Sequence, residues 1–152
     1  MEIVTYQVDF QEELEKFLKQ TNASPKFPFD PAGRHQDFRK IPETYQTNNG
    51  QFWVLLLSSV PVGIIALKAL SESLGEVKRL NVHPDHRGKG YGELLLKHLL
   101  DYAVKMDFKK IRLDSIRELN PAYNLYKKIG FYEISRYNDN PNADIFMEID
   151  IA

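Results

Sequence analysis

Ahead of a helical-looking stretch, the chain carries Arg87-Gly88-Lys89-Gly90-Tyr91-Gly92, glycines interleaved with two cations and a tyrosine. The chemistry such a loop supports is anion binding. Glycine lets backbone N–H groups approach a ligand closely, and a helix starting there adds unpaired N–H donors and the positive end of its dipole. Arg87 and Lys89 add charge beside them. Pyrophosphate is the ligand class this suits. Two common nucleotide loops fail on residue identity. Gly88-Lys89 is followed by Gly90-Tyr91, with no Ser or Thr hydroxyl as a P-loop requires, and a dinucleotide fingerprint starting at Gly88 would need a small residue where Glu93 stands.

The elements that must position this loop are legible on either side. Val77-Lys78-Arg79-Leu80-Asn81-Val82 is rich in apolar and β-branched residues and is stopped by His83-Pro84, a strand. After the loop, Tyr91, Leu94, Leu95, Leu99, Tyr102, Ala103 and Met106 recur at helical spacing. Glu93 and Asp101 stand four residues before Lys97 and Lys105, the favourable order for helical ion pairs. The unit reads strand, glycine loop, helix. Within the strand, Val77 and Leu80 cannot share a face by strict alternation while Leu80 and Val82 do, so a one-residue bulge between them is expected.

With 152 residues, the chain is most simply one domain spanning 1–152, large enough to bury a core. Its 20 basic and 21 acidic residues give a net charge of −1, so no sequence-wide field favours nucleic acid or an anionic membrane. The absence of cysteine excludes disulfides, thiolate metal sites and a cysteine nucleophile, and suits a reducing, cytoplasmic setting. Met1-Glu2-Ile3 does not open a signal peptide, and no apolar run is long enough to span a membrane.

In chain order, Glu2–Val8 reads as a strand and Glu12–Leu18 as a helix. Ser24–Gly33 holds Pro25, Pro28 and Pro31 around Phe27 and Phe29, a loop that either packs on the core or walls a substrate pocket. Arg34–Gln46 has Phe38, Ile41 and Tyr45 at helical spacing, interrupted by Pro42. Asn48-Asn49-Gly50 is a turn. Gln51–Leu57 and Val62–Leu70 are strand-length apolar runs linked through Ser58–Pro61, and with the Val77–Val82 strand they make an antiparallel meander. Ile111–Asp114 is the next strand, parallel to the one before the helix. Asn120-Pro121 starts a helix that Gly130 ends. Phe131–Tyr137 and Asp144–Ile151 are the last strands, around a polar loop at 138–142. His83 and His86 form an H-x-x-H pair, but the intervening Pro84 argues against a metal, and no metal site is expected.

Arg87, Gly90 and Gly92 fill the pattern Arg-x-x-Gly-x-Gly, and the chain resembles the GNAT superfamily of N-acetyltransferases there, including Val82-His83-Pro84 before the loop. Asn120–Phe131, with Asn120, Leu125, Tyr126, Gly130 and Phe131, is similar to a second signature of that family, although Tyr123 stands where alanine is usual. The resemblance implies an α/β GNAT fold, a mixed, mostly antiparallel twisted sheet of about six to seven strands with helices on both faces. It implies acetyl-CoA as donor, held by Leu80, Asn81, Val82, Arg87, Gly88, Lys89, Gly90, Tyr91, Gly92, Asn120 and Tyr123. It also implies a primary amine acceptor attacking directly in a ternary complex, with a small molecule favoured and a protein N-terminus or lysine as the alternative.

The amine must lose a proton and the leaving thiolate must be stabilised. By the resemblance Glu76 is the base, with water or another carboxylate, Glu72 or Asp114, as the alternative, and Tyr126 either protonates the sulfur or stabilises the thiolate by a hydrogen bond. Tyr137 and Asn140-Pro141 resemble a Tyr-x-x-Asn-Pro ending found in small-molecule members, so Tyr137 and Asn140 join Phe29 and Tyr45 as candidate substrate contacts. The rival reading is a non-catalytic acyl-CoA-binding module, and a homodimer is left open.

Overall fold

The structure, a computed structural model, describes residues 1–22, 28–117 and 122–152. A seven-stranded sheet runs in the order β1-β2-β3-β4-β5-β7-β6. Its strands are β1 (Glu2–Thr5), β2 (Gln51–Leu57), β3 (Val60–Ala69), β4 (Leu74–Val82), β5 (Lys110–Ser115), β6 (Tyr132–Glu133) and β7 (Ile145–Asp150). Every neighbouring pair is antiparallel except β4 and β5. The helices are α1 (Gln11–Thr21), α2 (Ile41–Thr44), α3 (Tyr91–Lys105) and α4 (Tyr123–Ile129).

The central apolar runs are continuous because both of their faces are buried. Phe52, Val54, Ile64 and Ala66 pack with Leu14, Phe17 and Leu18 of α1 and Ile41 of α2. Trp53, Leu55, Ile65 and Leu67 pack with Leu95, Leu96, Leu99 and Ala103 of α3 and with Tyr126 of α4. Helices therefore cover both faces, as expected. Each fully buried Leu, Ile or Phe contributes about 1.5–3 kcal/mol, so this double-sided core is the main source of stability.

The turns explain where element boundaries fall. Val60 and Pro61 belong to β3, leaving Ser58-Ser59 as a two-residue hairpin turn with φ of 50° and 67°. That twist matches the flanking strands, yet Asn-Gly, the usual signal for such a turn, is absent. Gly50 is required by close approach: a Cβ there would meet the Tyr45 carbonyl oxygen at 2.2 Å. The Arg34–Gln46 segment forms a 3₁₀ turn at Gln36–Arg39 and then α2, with Pro42 in the first helical turn, where no N–H bond is lost.

Two features of β4 shape the site. Ala66 pairs with Lys78 and Ile64 with Asn81, so Arg79 and Leu80 together oppose Ile65. Arg79 adopts a left-handed φ of 58° at this point. The expected bulge is there. On its other side, β4 pairs with β5 only from Leu74 to Val77, against Lys110 to Leu113. Beyond Val77 the two strands separate and the sheet opens.

The strand expected over Phe131–Tyr137 is shorter than its sequence suggested. Only Tyr132 and Glu133 pair with β7. After one more bond, Ile134 N–H to the Phe146 carbonyl at 2.8 Å, the chain leaves the sheet edge. Residues 137–140 are thereby free to bond to Glu76 and Asp114. The expected helix start at Asn120-Pro121 lies outside the described residues, and Gly130 ends α4 with a φ of 122°.

Candidate active site

A groove of about 500 Å³ runs along the glycine loop, lined by Leu80, Asn81, Val82, Arg87, Gly88, Gly90, Tyr91 and Gly92, with Ala122 and Leu125 opposite. Gly88 and Gly90 have φ of 76° and 84°, and a Cβ added at either would meet nothing within 4 Å. The space beside the loop is open, and the N–H groups of the first turn of α3 lack helical partners there. Arg87 is steered by its Nε–H, which donates to the Val82 carbonyl at 2.9 Å. Glu93 is the one acid lining the groove among the described residues, and Lys128 and Lys97 neutralise it at 3.1 and 3.4 Å. The hydrogen bond from Lys128, followed by that from Lys97, holds its carboxyl below the usual range. These residues fit a pyrophosphate, and the apolar side chains beyond them fit a pantetheine arm.

A second cavity, of about 370 Å³, occupies the opening between β4 and β5 and shares Leu80 and Asn81 with the groove. Its wall includes Phe38, Ile64, Lys78 and Asp114, and it also includes Tyr126, which packs in the core on the α3 side. The cavity therefore passes through the sheet where the strands separate. Tyr126 is 6% exposed and rests on Phe131 with ring centroids 5.8 Å apart.

Carboxylates gather on the α1 side of this opening. Glu76 is 4% exposed. Its Oε1 lies 3.2 Å from Lys78 Nζ, while its Oε2 accepts from the Tyr137 hydroxyl at 2.5 Å and from Asn138 Nδ2 at 3.5 Å. Asp114 Oδ2 accepts from Asn138 Nδ2 at 2.6 Å and Asn140 Nδ2 at 3.4 Å, with Lys78 Nζ at 3.5 Å. Burial, then the hydrogen bond to Glu76, pushes the Tyr137 phenol far above its ordinary pKa, so it stays a neutral donor. Arg112 is engaged by Glu148 at 2.7 Å and lies over the Tyr137 ring at 5.1 Å.

A second polar cluster forms the opposite wall. Arg79, aimed by its bulge conformation, donates through Nε and an NH2 group to the two oxygens of Asp37 at 2.9 and 2.7 Å, and stacks over Phe38 at 4.8 Å. His35 lines the cavity, and its Nδ1 accepts the Asp30 N–H at 2.8 Å, which places the ring proton on Nε2. Burial, and then the nearby Arg79 and Arg34, lower its pKa and favour the neutral ring.

Of the residues singled out from sequence, Leu80, Asn81, Val82, Arg87, Gly88, Gly90, Tyr91 and Gly92 line the groove, and Tyr126 and Asn140 line the cavity. Lys89 is exposed on the loop. Tyr123 points its hydroxyl to Glu133 at 3.2 Å under the Arg117 guanidinium and does not line the groove. Asn120 lies outside the described residues. Tyr45 is a core residue bonded to Asp37 at 2.5 Å, behind the cavity wall rather than on it. Phe29 likewise packs on His35 and Phe38, at centroid distances of 5.5 and 6.4 Å. Glu76 does not line the cavity; it is joined through Lys78 to Asp114, and those two do line it. Glu72 sits in the distant β3–β4 turn. Sequence reading missed Lys78, His35 and the Asp37–Arg79 pair as parts of this site; the phase slip at Arg79 was the one signal that could have pointed there. Among the described residues there is no cluster that could hold a metal, and no helix is long and apolar enough to cross a membrane.

A sheet opened between two parallel strands, with a glycine loop at one mouth, is the architecture of acyl-CoA-dependent transferases. Residues 13–131 match the acetyltransferase (GNAT) family, and the chain belongs to it. The whole fold is shared with a GNAT acetyltransferase from Staphylococcus aureus, with a TM-score of 0.88, 22% identity and 99% of each chain covered. PaiA N-acetyltransferase from Thermoplasma acidophilum, solved with coenzyme A, superposes with a TM-score of 0.74 at 20% identity over 98% of each chain. In sequence the chain is similar to an uncharacterized N-acetyltransferase of Schizosaccharomyces pombe, 36% identical over 51% of this chain and 48% of that protein. It is also similar to human N-acetylaspartate synthetase, 32% identical over 64% of this chain and 33% of that protein. The chain thus spans about half or less of the length of these curated relatives.

Proposed function

We propose that the chain transfers the acetyl group of acetyl-CoA to a primary amine of a small molecule, by direct attack in a ternary complex. The observation that carries this reading is the junction of groove and cavity at Leu80 and Asn81. A donor lying along the glycine loop brings its thioester to that junction, and an acceptor in the cavity meets it from the other face of the sheet. The cavity volume of about 370 Å³ is in the range of small-ligand sites, and its walls come from β4 and β5 with His35, Phe38, Tyr126 and Asn140. The name of the N-acetylaspartate synthetase relative points to a small acceptor as well.

Each residue has a definable task. The loop at 87–92 and the start of α3 bind and orient the pyrophosphate. The β4 edge beyond Val77, which pairs with no strand on the β5 side among the described residues, offers backbone groups to the pantetheine and the thioester carbonyl. Tyr126 protonates the departing sulfur or stabilises it as thiolate. Glu76, with Lys78, Tyr137 and Asn138 around it, belongs to the charge system that accepts the amine proton.

The test is a mass-spectrometric screen in which the protein and acetyl-CoA meet pools of free alkyl amines, amino acids and short peptides with free N-termini or lysines. An acetylated small amine is the expected outcome. Acetylation of peptides alone moves the acceptor to protein. Coenzyme A binding with no product in any pool leaves a binding module.

A further inference from the structure

The proton-accepting role has a better-placed owner than Glu76. Asp114 lines the acceptor cavity, its side chain is 8% exposed, and all its bonds from the described residues converge on Oδ2. Its Oδ1 accepts no hydrogen bond from the described residues. A carboxylate offers about four lone-pair sites, so much of the accepting capacity of this nearly buried group is unspent. Glu76, in contrast, does not line the cavity, and both of its oxygens are occupied, Oε1 by Lys78 and Oε2 by Tyr137 and Asn138.

The charges around the opening favour a cation beside Asp114. Arg79 is matched by Asp37 and Arg112 by Glu148, each through hydrogen-bonded ion pairs. His35 is held neutral and Tyr137 remains a phenol. Among the described residues, the groups in direct contact with Glu76 and Asp114 leave one lysine, Lys78, between the two carboxylates, while Arg136 is spent on the backbone carbonyls of Asn138, Asn140 and Ala143. That surplus negative charge is met by an alkylammonium.

Resting on the acetyl-transfer reading, we propose that Asp114 Oδ1 seats the ammonium of a primary alkyl amine and removes its proton, while Glu76 is a positioning residue that fixes Lys78 and the 137–138 loop. The ammonium gives a proton to Asp114, which becomes a carboxylic acid, and the freed lone pair forms the C–N bond at the thioester carbonyl carbon. The tetrahedral intermediate collapses as the C–S bond breaks and sulfur leaves with its electron pair. Tyr126 protonates that sulfur and is restored by the second proton shed from nitrogen. Asp114 returns its proton to solvent. Acetamide, thiol and one released proton balance the step.

The test compares Asp114→Asn and Glu76→Gln with the parent, using n-propylamine, which is an ammonium at pH 7, and 2,2,2-trifluoroethylamine, which is of similar length but already neutral there. Thiol release is measured for each, and the melting-temperature rise with coenzyme A confirms that each variant is folded and binds donor. Asp114→Asn should slow transfer to n-propylamine about 10²-fold, and transfer to trifluoroethylamine less than tenfold. Glu76→Gln should slow both amines by the same factor. Selective loss on n-propylamine in Glu76→Gln, or equal losses for the two amines in Asp114→Asn, overturns the proposal. A parent protein that binds coenzyme A but releases thiol with neither amine overturns the alkylamine-transfer reading itself, and the assignment falls with it.

Discussion

The Tyr137 hydroxyl donates to Glu76 Oε2 at 2.5 Å across 61 residues of chain. This bond ties the loop that leaves β6 to the middle of β4, and with Asn138 it fixes where Asp114 and Lys78 stand. A hydrogen bond to a charged group contributes about 1.5–3 kcal/mol. Tyr137→Phe should therefore lower the melting temperature measurably and reduce turnover, while the coenzyme A dissociation constant stays unchanged. Full turnover in a stable Tyr137→Phe protein would show that the loop's anchor has no bearing on the acceptor side.

Asp37→Ala should destabilise the fold by about 2–3 kcal/mol, below the full cost of a deeply buried pair because Arg79 is partly exposed. The change strands Arg79, whose left-handed backbone is held by the bulge, and removes the acceptor of the Tyr45 hydroxyl. Denaturant unfolding reads this directly. A change under about 0.5 kcal/mol, the size of ordinary surface substitutions, would mean the pair orients the cavity wall without stabilising it.

The bulge was legible in the sequence because alternation fails between Val77 and Leu80, and a phase slip in a strand has few physical remedies. The glycine loop was legible because its composition has little other use. Asp114 was not. In Ile111-Arg112-Leu113-Asp114 the apolar residues alternate with charges, the pattern of a half-solvated strand, and only the sheet order and the loop at 137–140 reveal that the charged face is covered. The early end of β6 was hidden because Phe131 to Tyr137 is rich in aromatic and β-branched residues, as a strand is, while the bonds that draw Tyr137 away are to β4, far off in sequence. Tyr45 sat at helical spacing, which says buried but not beside what.

Glu148 sets an acid limit on stability. Burial alone would raise its carboxyl, but bonds from Arg112, Tyr132 and Lys110 together outweigh that and hold it below the ordinary value. A depressed folded pKa gives stability that is present above the unfolded value of roughly 4.3 and is lost as pH falls through the folded one. Glu148→Gln should thus melt well below the parent at neutral pH, with the gap closing as pH drops under about 4. A gap that is constant with pH would assign the loss to packing rather than charge.

Gly90→Asp should fold, since a side chain there meets open space, at a modest cost for the φ of 84°. It places bulk and negative charge where the pyrophosphate belongs. The melting-temperature rise that coenzyme A produces by binding the native state should then disappear. An undiminished rise in the folded variant would move the donor away from this loop.

Tyr126→Phe should reduce turnover far more than coenzyme A affinity. The substitution removes one hydroxyl from a ring that is 6% exposed and seated on Phe131, so packing survives. If the phenol acts only as sulfur departs, its loss belongs to the transition state and appears in kcat, leaving ground-state binding of the donor intact. A general acid contributes roughly 10²–10⁴-fold, and the lower part of that range is expected because a thiolate is already a fair leaving group. The measurement sets kcat, in an assay limited by chemistry, beside the coenzyme A dissociation constant for both proteins. Full kcat in the phenylalanine variant would leave Tyr126 as part of the cavity wall and give the sulfur's proton another source.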